Sequence, residues 1–496
     1  MNNKNTIFIK IVAIKKHNGI FVIKTKMNKQ EFYSELVKNA PFELTYRQDS
    51  FLQKIAGFLT NNISDEIFVL QGYAGTGKTT LLSLVVNHLQ LISKKSVMLA
   101  PTGRAAKVIA NYSQLPAYTI HKRIYFPQKS GGFKLQPNKF KNTIFIVDEA
   151  SMISDVSTDT SLYPNGSLLD DLIHYVYTGE NCKLILIGDT AQLPPVGMDE
   201  SPALQPDYLR LNFPVEVGTM ELNEVVRQEE DSGILYNATE LRSLIEEDFF
   251  EFFQFEVNHF KDIQRLIAGD DILDAIHDAY SKKGVEDTIF IVRSNKRANL
   301  YNQQIRYRIL DRESELSAGD LVMVVKNNYF WLKESKITDF IANGDVLEIL
   351  RIYKNIELYG FRFASVLVRM IDYPDLEPFE TIVLLDTLTA DAPALTYEQN
   401  NKLYEEVAKD YEDESTAYKK MQKIKNNEYF NALQIKFAYA ITCHKAQGGQ
   451  WDTVFVEQPY LPEGLSKDAV KWLYTALTRA QRKAYLIGFD NQYFEE

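Results

Sequence analysis

The segment from Gln71 to Thr80, QGYAGTGKTT, constrains the fold of this chain more than any other stretch. It follows the apolar run EIFVL and precedes residues whose apolar positions recur at the spacing of an α-helix. The order strand, glycine-rich turn, helix is typical of a phosphate-binding loop at the edge of a parallel sheet. The alternative is a glycine turn without a ligand, and the flanking strand and helix argue against it.

Each residue type of this loop has a physical task in binding a polyphosphate. The glycines let successive backbone N–H groups converge on phosphate oxygens at a helix N-terminus, where the helix dipole favours an anion. We expect the lysine to reach the β- and γ-phosphates and a threonine hydroxyl to bind Mg²⁺, so that ATP and Mg²⁺ are the expected cofactors. The predicted nucleotide-binding residues of the loop are Gly72, Gly75, Thr76, Gly77, Lys78, Thr79 and Thr80, with Thr79 as a metal ligand.

The composition sets limits on the class of protein. A chain of 496 residues, 45% of them apolar, is long enough for more than one domain with a buried core. The formal net charge of −11 excludes a chain that is basic throughout, although a local basic groove is enough to bind nucleic acid. The cysteines, Cys182 and Cys443, have no metal-binding spacing, so we expect a reducing, cytoplasmic location. We expect no membrane span, since no run of about eighteen uncharged apolar residues occurs.

Residues 1–30 are predicted to form a basic extension, because they contain seven lysines and no acidic residue. One interpretation is an arm that binds a polyphosphate. The other is a dispensable extension ahead of a true start at Met27, and the mass of the protein made from its native gene would decide between the two.

Further short apolar runs are each followed by polar residues. Such runs, alternating with helical stretches, indicate parallel strands that are covered on both faces, with ligands gathering at their carboxyl ends. The runs are SVMLA (96–100), TIFIVD (143–148), KLILIGD (183–189), TIFIVR (288–293), FAYAIT (437–442), TVFVE (453–457) and AYLIG (484–488).

Polar residues after these strands are candidates for chemistry on ATP. Asp148 is suited to hold Mg²⁺ through water, and Glu149 to polarise an attacking water. Gln192, in GDTAQLPPVG, can contact a γ-phosphate through its amide. Gln48, shortly before the phosphate loop, has the donor and acceptor needed to bind the adenine edge. Ordinary surface turns and solvated loops are the alternatives at each position.

The segment from His121 to Ile144 combines aromatic and basic residues around Gly131 and Gly132, which predicts a hairpin. Its phenylalanines can stack on bases or wedge between them. A surface hairpin with buried aromatic residues is an equal alternative. The residues concerned are Phe126, Phe133 and Phe140.

Eight segments in this order resemble the successive motifs of superfamily 1 DNA helicases. The resemblance is to the 5′-to-3′ branch with the RecD-like and Dda-like enzymes, and it extends from about residue 42 to residue 488. The segments are GYAGTGKTT, LAPTGRAAKVI, YTIHKRI, IFIVDEAS, LILIGDTAQLPPVG, LNEVVRQEEDSGIL, ITCHKAQGGQWDTVFVE and WLYTALTRAQR.

The resemblance implies an α/β fold with two RecA-like P-loop domains and ATP between them. It implies a first domain over residues 31–215, with a hairpin insertion at about 123–142, and a second over 216–316 and 432–496. Residues 317–431 are then an inserted region. Within it, the alternating strands and the Asn343-Gly344 turn resemble an SH3-like barrel. Residues 396–426 are predicted to form a helical arm. This arm is either a solvated surface feature or a support that steadies the barrel over DNA.

The resemblance also assigns roles to residues in the cleft. It implies that Arg227 contacts the γ-phosphate and that Arg479 is an arginine finger. The pair Gln447 and Gly448 matches the motif that links the nucleotide to the DNA. Val226 departs from the pattern, because several relatives carry an adenine-stacking aromatic residue there, which leaves Gln48 as the expected adenine contact.

Other positions match residues that in the family lie along single-stranded DNA. Hydroxyls, imidazoles and lysines can contact backbone phosphates without reading sequence, although local capping or core packing is the alternative for each. With Phe133 of the hairpin, the expected DNA-binding residues are Pro101, Thr102, Thr119, His121, Thr442, His444 and Lys445.

Together these features predict an ATP-dependent helicase that moves along single-stranded DNA and separates duplexes in replication, recombination or repair. We expect single-stranded and forked DNA as partners, possible recombination or replication proteins as others, and a monomer. The alternatives are a nucleotide-controlled DNA-binding switch that does not translocate, and a subunit of a recombination complex.

Overall fold

The computed structural model describes residues 14–17, 20–23, 27–127, 133–156, 163–224, 232–333, 335, 340–462 and 464–495. Near the amino terminus, β1 (Ile14–His17) pairs antiparallel with β2 (Ile20–Ile23). The expected end of the basic extension at residue 30 falls inside the first helix, which begins at Lys29.

The first lobe, residues 27–222, is built on a six-stranded parallel sheet with the strand order β10-β3-β9-β8-β4-β5. All five residues of β8 are buried, as expected for a central parallel strand covered on both faces. The elements of this lobe are α1 (Lys29–Lys38), α2 (Tyr46–Thr60), β3 (Glu66–Gly72), α3 (Lys78–His88), β4 (Lys95–Ala100), α4 (Gly103–Ser113), β5 (Ala117–Thr119), α5 (Ile120–Ile124), β6 (Tyr125–Pro127), β7 (Phe133–Leu135), β8 (Thr143–Val147), α6 (Leu168–Tyr177), β9 (Lys183–Gly188), α7 (Pro206–Asn212) and β10 (Glu216–Leu222).

The predicted boundary between the two large domains differs from the strand pairing. We placed it after residue 215, but β10 hydrogen-bonds to β3 along its whole length, from Glu216 opposite Glu66 to Leu222 opposite Gly72. The polar residues Glu216, Thr219 and Glu221 interrupt the apolar run of this edge strand, so it lacks the pattern that marked the central strands. We therefore place the division after Leu222.

The predicted hairpin is present. Strands β6 and β7 pair antiparallel, with Tyr125 opposite Leu135, and the turn residues 128–132 lie outside the described part of the chain.

The second lobe begins with α8 (Gly233–Glu247), β11 (Ile263–Leu266), α9 (Gly269–Lys283), β12 (Thr288–Val292) and α10 (Asn295–Arg308).

The chain then enters the inserted barrel, which is closed in the order β13-β14-β15-β16-β17. Its strands are β13 (Leu321–Val324), β14 (Val346–Leu358), β15 (Phe361–Met370), β16 (Phe379–Leu384) and β17 (Leu433–Phe437). The helical arm is a pair of helices, α11 (Tyr397–Lys409) and α12 (Ala417–Lys425), inserted before β17. The arm packs on the barrel through Leu403, Val407 and Ile424, which are buried with barrel residues in one cluster.

The second lobe is completed by β18 (Ala440–Thr442), α13 (Cys443–Ala446), β19 (Trp451–Glu457), α14 (Lys467–Leu477) and β20 (Ala480–Ile487). Its five strands are parallel, in the order β11-β20-β19-β12-β18. The single strand predicted at 437–442 is divided, because Phe437 ends the barrel and Ala440 begins a strand of the sheet.

The predicted α/β architecture with two parallel-sheet domains, a hairpin, an inserted barrel and a helical arm is confirmed. Among the described helices, none is both long enough and apolar enough to span a lipid bilayer.

A buried ionic network joins the barrel to the second lobe. The Asp320 carboxylate is fully buried just before β13 and accepts hydrogen bonds from Arg306 Nε at 3.0 Å and Arg312 Nη1 at 2.7 Å. The Tyr439 hydroxyl, between β17 and β18, donates to the same carboxylate at 2.9 Å. Because Arg306 lies on α10, one carboxylate fixes the point where the chain leaves the second lobe and the point where it returns.

We expect Asp320→Ala to lower the free energy of unfolding by ~3–5 kcal/mol, because it leaves buried arginine charge without a counter-ion. Urea denaturation followed by the fluorescence of Trp331, whose indole donates to the Asn431 carbonyl in this region, measures the loss. The control is Glu348→Ala, which removes a partly exposed ion pair with Arg369 and should cost less than ~1 kcal/mol. Equal losses in the two variants would contradict this role of Asp320.

Candidate functional site

The two lobes enclose a cavity of about 610 Å³ at the carboxyl ends of their strands. Its lining combines the loop after β3 with residues of α2, α4, α8 and the loop after α14, so neither lobe forms it alone. The lining includes Phe42, Gln48, Gly75, Gly77, Lys78, Thr79, Thr80, Tyr112, Asp148, Glu149, Asp189, Gln192, Leu235, Gly448 and Arg479.

The glycine-rich loop has the backbone conformation expected of a phosphate-binding loop. Gly75 and Gly77 have φ values of 80° and 82°, which residues with a Cβ rarely adopt. Lys78 begins α3 and donates from Nζ to the carbonyls of Gly72, at 2.5 Å, and Tyr73, at 2.7 Å. Because neither carbonyl is charged, neither neutralises the positive charge that Lys78 can offer to an anion. The loop, the helix N-terminus and this lysine therefore fit a triphosphate.

Gln48 lies in the cavity wall, but both ends of its amide are already hydrogen-bonded. Its Oε1 accepts from the Thr45 N–H in the cap of α2, at 3.2 Å, and its Nε2 donates to the Thr76 carbonyl, also at 3.2 Å. One amide hydrogen and one lone pair remain for a base. Half-buried Phe42 lines the same cavity and offers an aromatic ring there. We did not predict a role for Phe42.

Two carboxylates stand at the end of β8, and their surroundings differ. The Asp148 carboxylate accepts from the Glu149 N–H at 2.8 Å and from the Tyr112 hydroxyl at 2.5 Å. Glu149 has a φ of 56°, so the backbone turns sharply and separates the two side chains. Asp148 and Thr79 both line the cavity, and their oxygens are the ligand type that Mg²⁺ requires.

The Glu149 carboxylate faces the second lobe. Arg479 Nη1 lies 3.9 Å from Glu149 Oε1. Burial raises the pKa of Glu149 above its ordinary value, the Arg479 guanidinium opposes that shift, and Asp148 adds to it. Arg479 is itself nearly fully buried and is oriented by hydrogen bonds to the carbonyls of Thr475, at 3.1 Å, and Gly449, at 3.3 Å. A carboxylate with a raised pKa and a fixed arginine thus face each other across the cleft.

Gln192 and Asp189 continue the first-lobe wall after β9. In the described structure the Gln192 Oε1 is buried without a hydrogen-bond partner. Asp189 Oδ2 accepts from the Tyr474 hydroxyl at 2.6 Å, and that hydroxyl also accepts from the Ala74 N–H at 2.9 Å. Tyr474 of α14 therefore connects the phosphate loop, the Asp189 turn and the second lobe.

Gln447 and Gly448 lie at the contact between the lobes. Gln447 Nε2 donates to the Leu193 carbonyl at 2.6 Å, while the Leu193 N–H donates to Thr475 Oγ1 at 2.8 Å. Gly448 lies so close to α4 that a Cβ there would be 2.7 Å from the Ala105 Cβ. Gly448 lines the cavity, whereas Gln447 bridges the lobes behind it.

The first-lobe residues expected along DNA occupy two helix starts. Pro101 precedes Thr102, whose hydroxyl accepts from the Ala105 N–H at 3.2 Å and caps α4. Thr119 caps α5 in the same way and is buried. His121 lies among Tyr125, Phe133 and Tyr163, and burial lowers its pKa to about 4. His121 is therefore neutral near pH 7 and supplies no positive charge to a phosphate.

The hairpin phenylalanines divide into packed and exposed residues. Phe133 stacks on Tyr125 at 4.6 Å and contacts Tyr329 of the barrel region edge-to-face at 6.1 Å. Phe140 packs against Phe145 of β8. Phe126 is 51% exposed. Of the three, Phe126 therefore has the exposed ring needed for stacking on a base.

The second-lobe candidates lie at and beside α13. Thr442 precedes this helix and is half-buried, and burial lowers the pKa of His444. Burial also lowers the pKa of Lys445 to about 8, and no described residue forms an ion pair or hydrogen bond with its ammonium. A partly buried lysine without a counter-ion is suited to bind a phosphate.

Some predictions lie outside the described residues, and some site residues escaped sequence reasoning. Arg227 and Val226 belong to the first group. Tyr112, Asp189 and Tyr474 belong to the second. Tyr474 lies four residues before Thr478 of the segment ALTRA, and this i,i+4 spacing would have drawn attention to it. We find no sequence signal that singles out Tyr112.

Family models match both lobes. Residues 56–198 match an AAA domain, and residues 437–487 match a UvrD-like helicase C-terminal domain. The match to the ATP-dependent DNA helicase dda of Enterobacteria phage T4 is 24% identical and covers 84% of this chain and 93% of that protein. The match to the ATP-dependent RecD2 DNA helicase of Deinococcus radiodurans is 32% identical over 160 residues, or 32% of this chain.

An uncharacterized protein of Methanocaldococcus jannaschii is 24% identical over 86% of this chain. The chain spans 37% of the length of that protein and 19% of the Deinococcus protein. A crystal structure of Pif1 helicase from Bacteroides in complex with ADP-AlF3 and ssDNA aligns with a TM-score of 0.45 at 17% identity, over 92% of this chain and 95% of that one.

With a family model matched in each lobe and the motifs in order, the chain is similar to superfamily 1 helicases of the RecD-like and Dda-like kind.

Proposed function

We propose that this protein is an ATP-driven motor that moves 5′-to-3′ along single-stranded DNA and separates duplex DNA. The observation that carries the proposal is the cavity between the lobes, where the phosphate loop and Glu149 face Arg479 from the other lobe at 3.9 Å. A nucleotide bound there contacts both lobes, so its binding and hydrolysis change how closely they approach.

The residues of the cleft have distinct tasks in this proposal. Lys78 and the loop N–H groups hold the β- and γ-phosphates. Ionised Glu149 accepts a proton from the attacking water, and its raised pKa makes it a stronger base than an ordinary glutamate. Arg479, with Arg227 as a further candidate, stabilises the charge on the transferred phosphoryl group. Gln192 donates to the γ-phosphate from its Nε2, while its buried Oε1, which is unpaired in the described residues, is left to accept from water.

Thr79 and Asp148 are the residues that would hold Mg²⁺. When bound, the ion neutralises charge on the β- and γ-phosphate oxygens.

The proposed DNA path crosses both lobes. Its first-lobe part is the start of α4 at Pro101 and Thr102, with the cap of α5 at Thr119, where backbone N–H groups favour a phosphate. Its second-lobe part is Thr442, His444 and Lys445. In this path His121 serves as a neutral support for the aromatic cluster beside Phe133, and Phe126 offers a ring to a base. Gln447 and Gly448 join the path to the cleft, so that closure of the lobes moves one part of the path against the other.

The first experiment measures ATP hydrolysis with and without single-stranded DNA, and unwinding of duplexes with a 5′ or a 3′ tail. We expect strong stimulation of hydrolysis by DNA and unwinding of the 5′-tailed duplex, and Glu149→Gln as the control should abolish both. Equal hydrolysis with and without DNA would contradict the motor. Stimulation without unwinding would favour a switch, or a subunit that needs partners.

We expect Arg479→Ala to retain ATP binding and to slow hydrolysis by ~10³-fold or more, because it removes charge stabilisation of the transition state. As the pH is lowered, the hydrolysis that remains in the variant should decline earlier, at a higher pH, than hydrolysis by the wild type does. The reason is that Arg479 lowers the pKa of Glu149, so that its removal raises that pKa and protonates the base earlier.

Nucleotide binding by fluorescence and a pH profile at saturating ATP measure the two effects. The control is Arg297→Ala, since Arg297 lies in the second lobe, is partly exposed and pairs with Glu457. A variant that lost ATP binding but hydrolysed at the normal rate when saturated would rule out this role for Arg479.

We expect the affinity for a deoxythymidine oligomer to weaken about tenfold from about pH 7 to about pH 9, because Lys445 must be protonated to bind a phosphate. Its lowered pKa of about 8 means that the contact is complete below that pH and is lost above it in the free protein. Lys445→Gln should bind more weakly at pH 7 and show a flat pH profile. Lys445→Arg, which stays charged, should bind tightly over the whole range. A wild-type affinity that does not change with pH would contradict the contact.

A further inference from the structure

The Tyr112 hydroxyl contacts one of the two residues that are suited to hold a metal ion. Tyr112 is in the last turn of α4, and its hydroxyl donates to Asp148 Oδ2 at 2.5 Å. The other carboxylate oxygen, Asp148 Oδ1, accepts from the Glu149 N–H at 2.8 Å. Each oxygen of the Asp148 carboxylate therefore has one fixed donor.

These two donors suit the binding of a cation. A carboxylate oxygen that accepts one hydrogen bond keeps a further lone pair, so Asp148 remains an acceptor toward metal-bound water. The Tyr112 phenol and the Glu149 N–H together set the plane of the carboxylate, in the cavity that Thr79 also lines.

The position of Tyr112 is fixed by the surrounding helices. Ser83 Oγ on α3 lies 3.0 Å from the Thr79 carbonyl oxygen and 3.3 Å from the Tyr112 carbonyl oxygen. This hydroxyl therefore connects α3 to the end of α4. The ring is half-buried against the apolar core of the first lobe. The backbone of Tyr112 is thereby tied to α3, and its hydroxyl to Asp148.

We propose that Tyr112 is a positioning residue for the divalent cation, holding the Asp148 carboxylate in the orientation that the ion requires. The inference rests on the proposed use of ATP with Mg²⁺. It is independent of movement along DNA.

The test is Tyr112→Phe, which keeps the ring and removes the hydroxyl. Binding of Mn²⁺ to the full-length protein with a non-hydrolysable ATP analogue, followed by electron paramagnetic resonance, gives the affinity for the ion without DNA or turnover. We expect it to weaken at least about tenfold, as found when a group that orients metal ligands is removed. Binding of the analogue in EDTA and the melting temperature should not change.

Two further variants separate the hydroxyl from the packing of the ring. Tyr112→Leu should weaken Mn²⁺ binding as much as Tyr112→Phe does, although, unlike Tyr112→Phe, it should also lower the melting temperature. Tyr359→Phe is the matched control, because the Tyr359 hydroxyl donates to Asp410 between the barrel and its arm, outside the cleft. It should leave Mn²⁺ binding unchanged.

The outcomes distinguish this inference from the proposed function. Mn²⁺ binding within twofold of the wild type in Tyr112→Phe, or tighter binding, would overturn the role of Tyr112 whether or not the protein unwinds DNA. Weaker Mn²⁺ binding in a protein that hydrolyses ATP without DNA stimulation would support Tyr112 and reject the motor.

Discussion

The arrangement of the cleft depends on the hydroxyl of Tyr474. It accepts a hydrogen bond from the Ala74 N–H of the phosphate loop and donates one to Asp189, while the residue itself belongs to α14 of the second lobe. Thr475 and Gln447, which also belong to the second lobe, form hydrogen bonds with the backbone of Leu193. The contact between the lobes thus combines directed hydrogen bonds with apolar packing of Tyr73, Ala191 and Leu193 against the second lobe. Hydrogen bonds are strong only at short distance and correct angle, so an opening of the cleft would break them abruptly.

Helix α4 belongs to both the proposed DNA path and the metal site. Its start carries Thr102 as a cap, and at its first residue, Gly103, a Cβ would be 2.4 Å from the Asp345 carboxylate of the barrel region. Its last turn contains Tyr112, whose hydroxyl donates a hydrogen bond to Asp148. The helix has 11 residues and is therefore ~16 Å long. A rigid element of that length would pass a displacement at one end to the other, so a phosphate bound at its start in the proposed DNA path would affect the orientation of Asp148.

Much of this arrangement could be predicted from the sequence, and the exceptions have physical reasons. Buried parallel strands leave continuous apolar runs, and a phosphate loop needs glycines at fixed positions, so both sheets and the loop were found. Strand β10 was missed because an edge strand carries polar residues, and the run at 437–442 was read as one strand because an apolar run does not show where a chain passes from a barrel to a sheet. Tyr112 and Tyr474 act through single hydroxyls whose partners are distant in sequence, and one sequence gives no measure of such pairing. His121 was expected to contact DNA, and only the packing shows that it lies half-buried among aromatic rings and is neutral.

An acidic protein can still bind a polyanion when its few relevant cations lack internal partners. Many charged groups among the described residues form ion pairs, as Arg297 does with Glu457 and Arg369 with Glu348. Lys445 differs, since it is partly buried, no described carboxylate pairs with it, and burial lowers its pKa to about 8. Part of the desolvation cost of this ammonium is therefore already met in the folded protein, and a phosphate placed beside it would be attracted more strongly than by a fully hydrated lysine. The net charge of −11 would weaken long-range attraction to DNA without weakening the proposed contact, because a Debye length of about 8 Å at physiological salt screens the distant carboxylates.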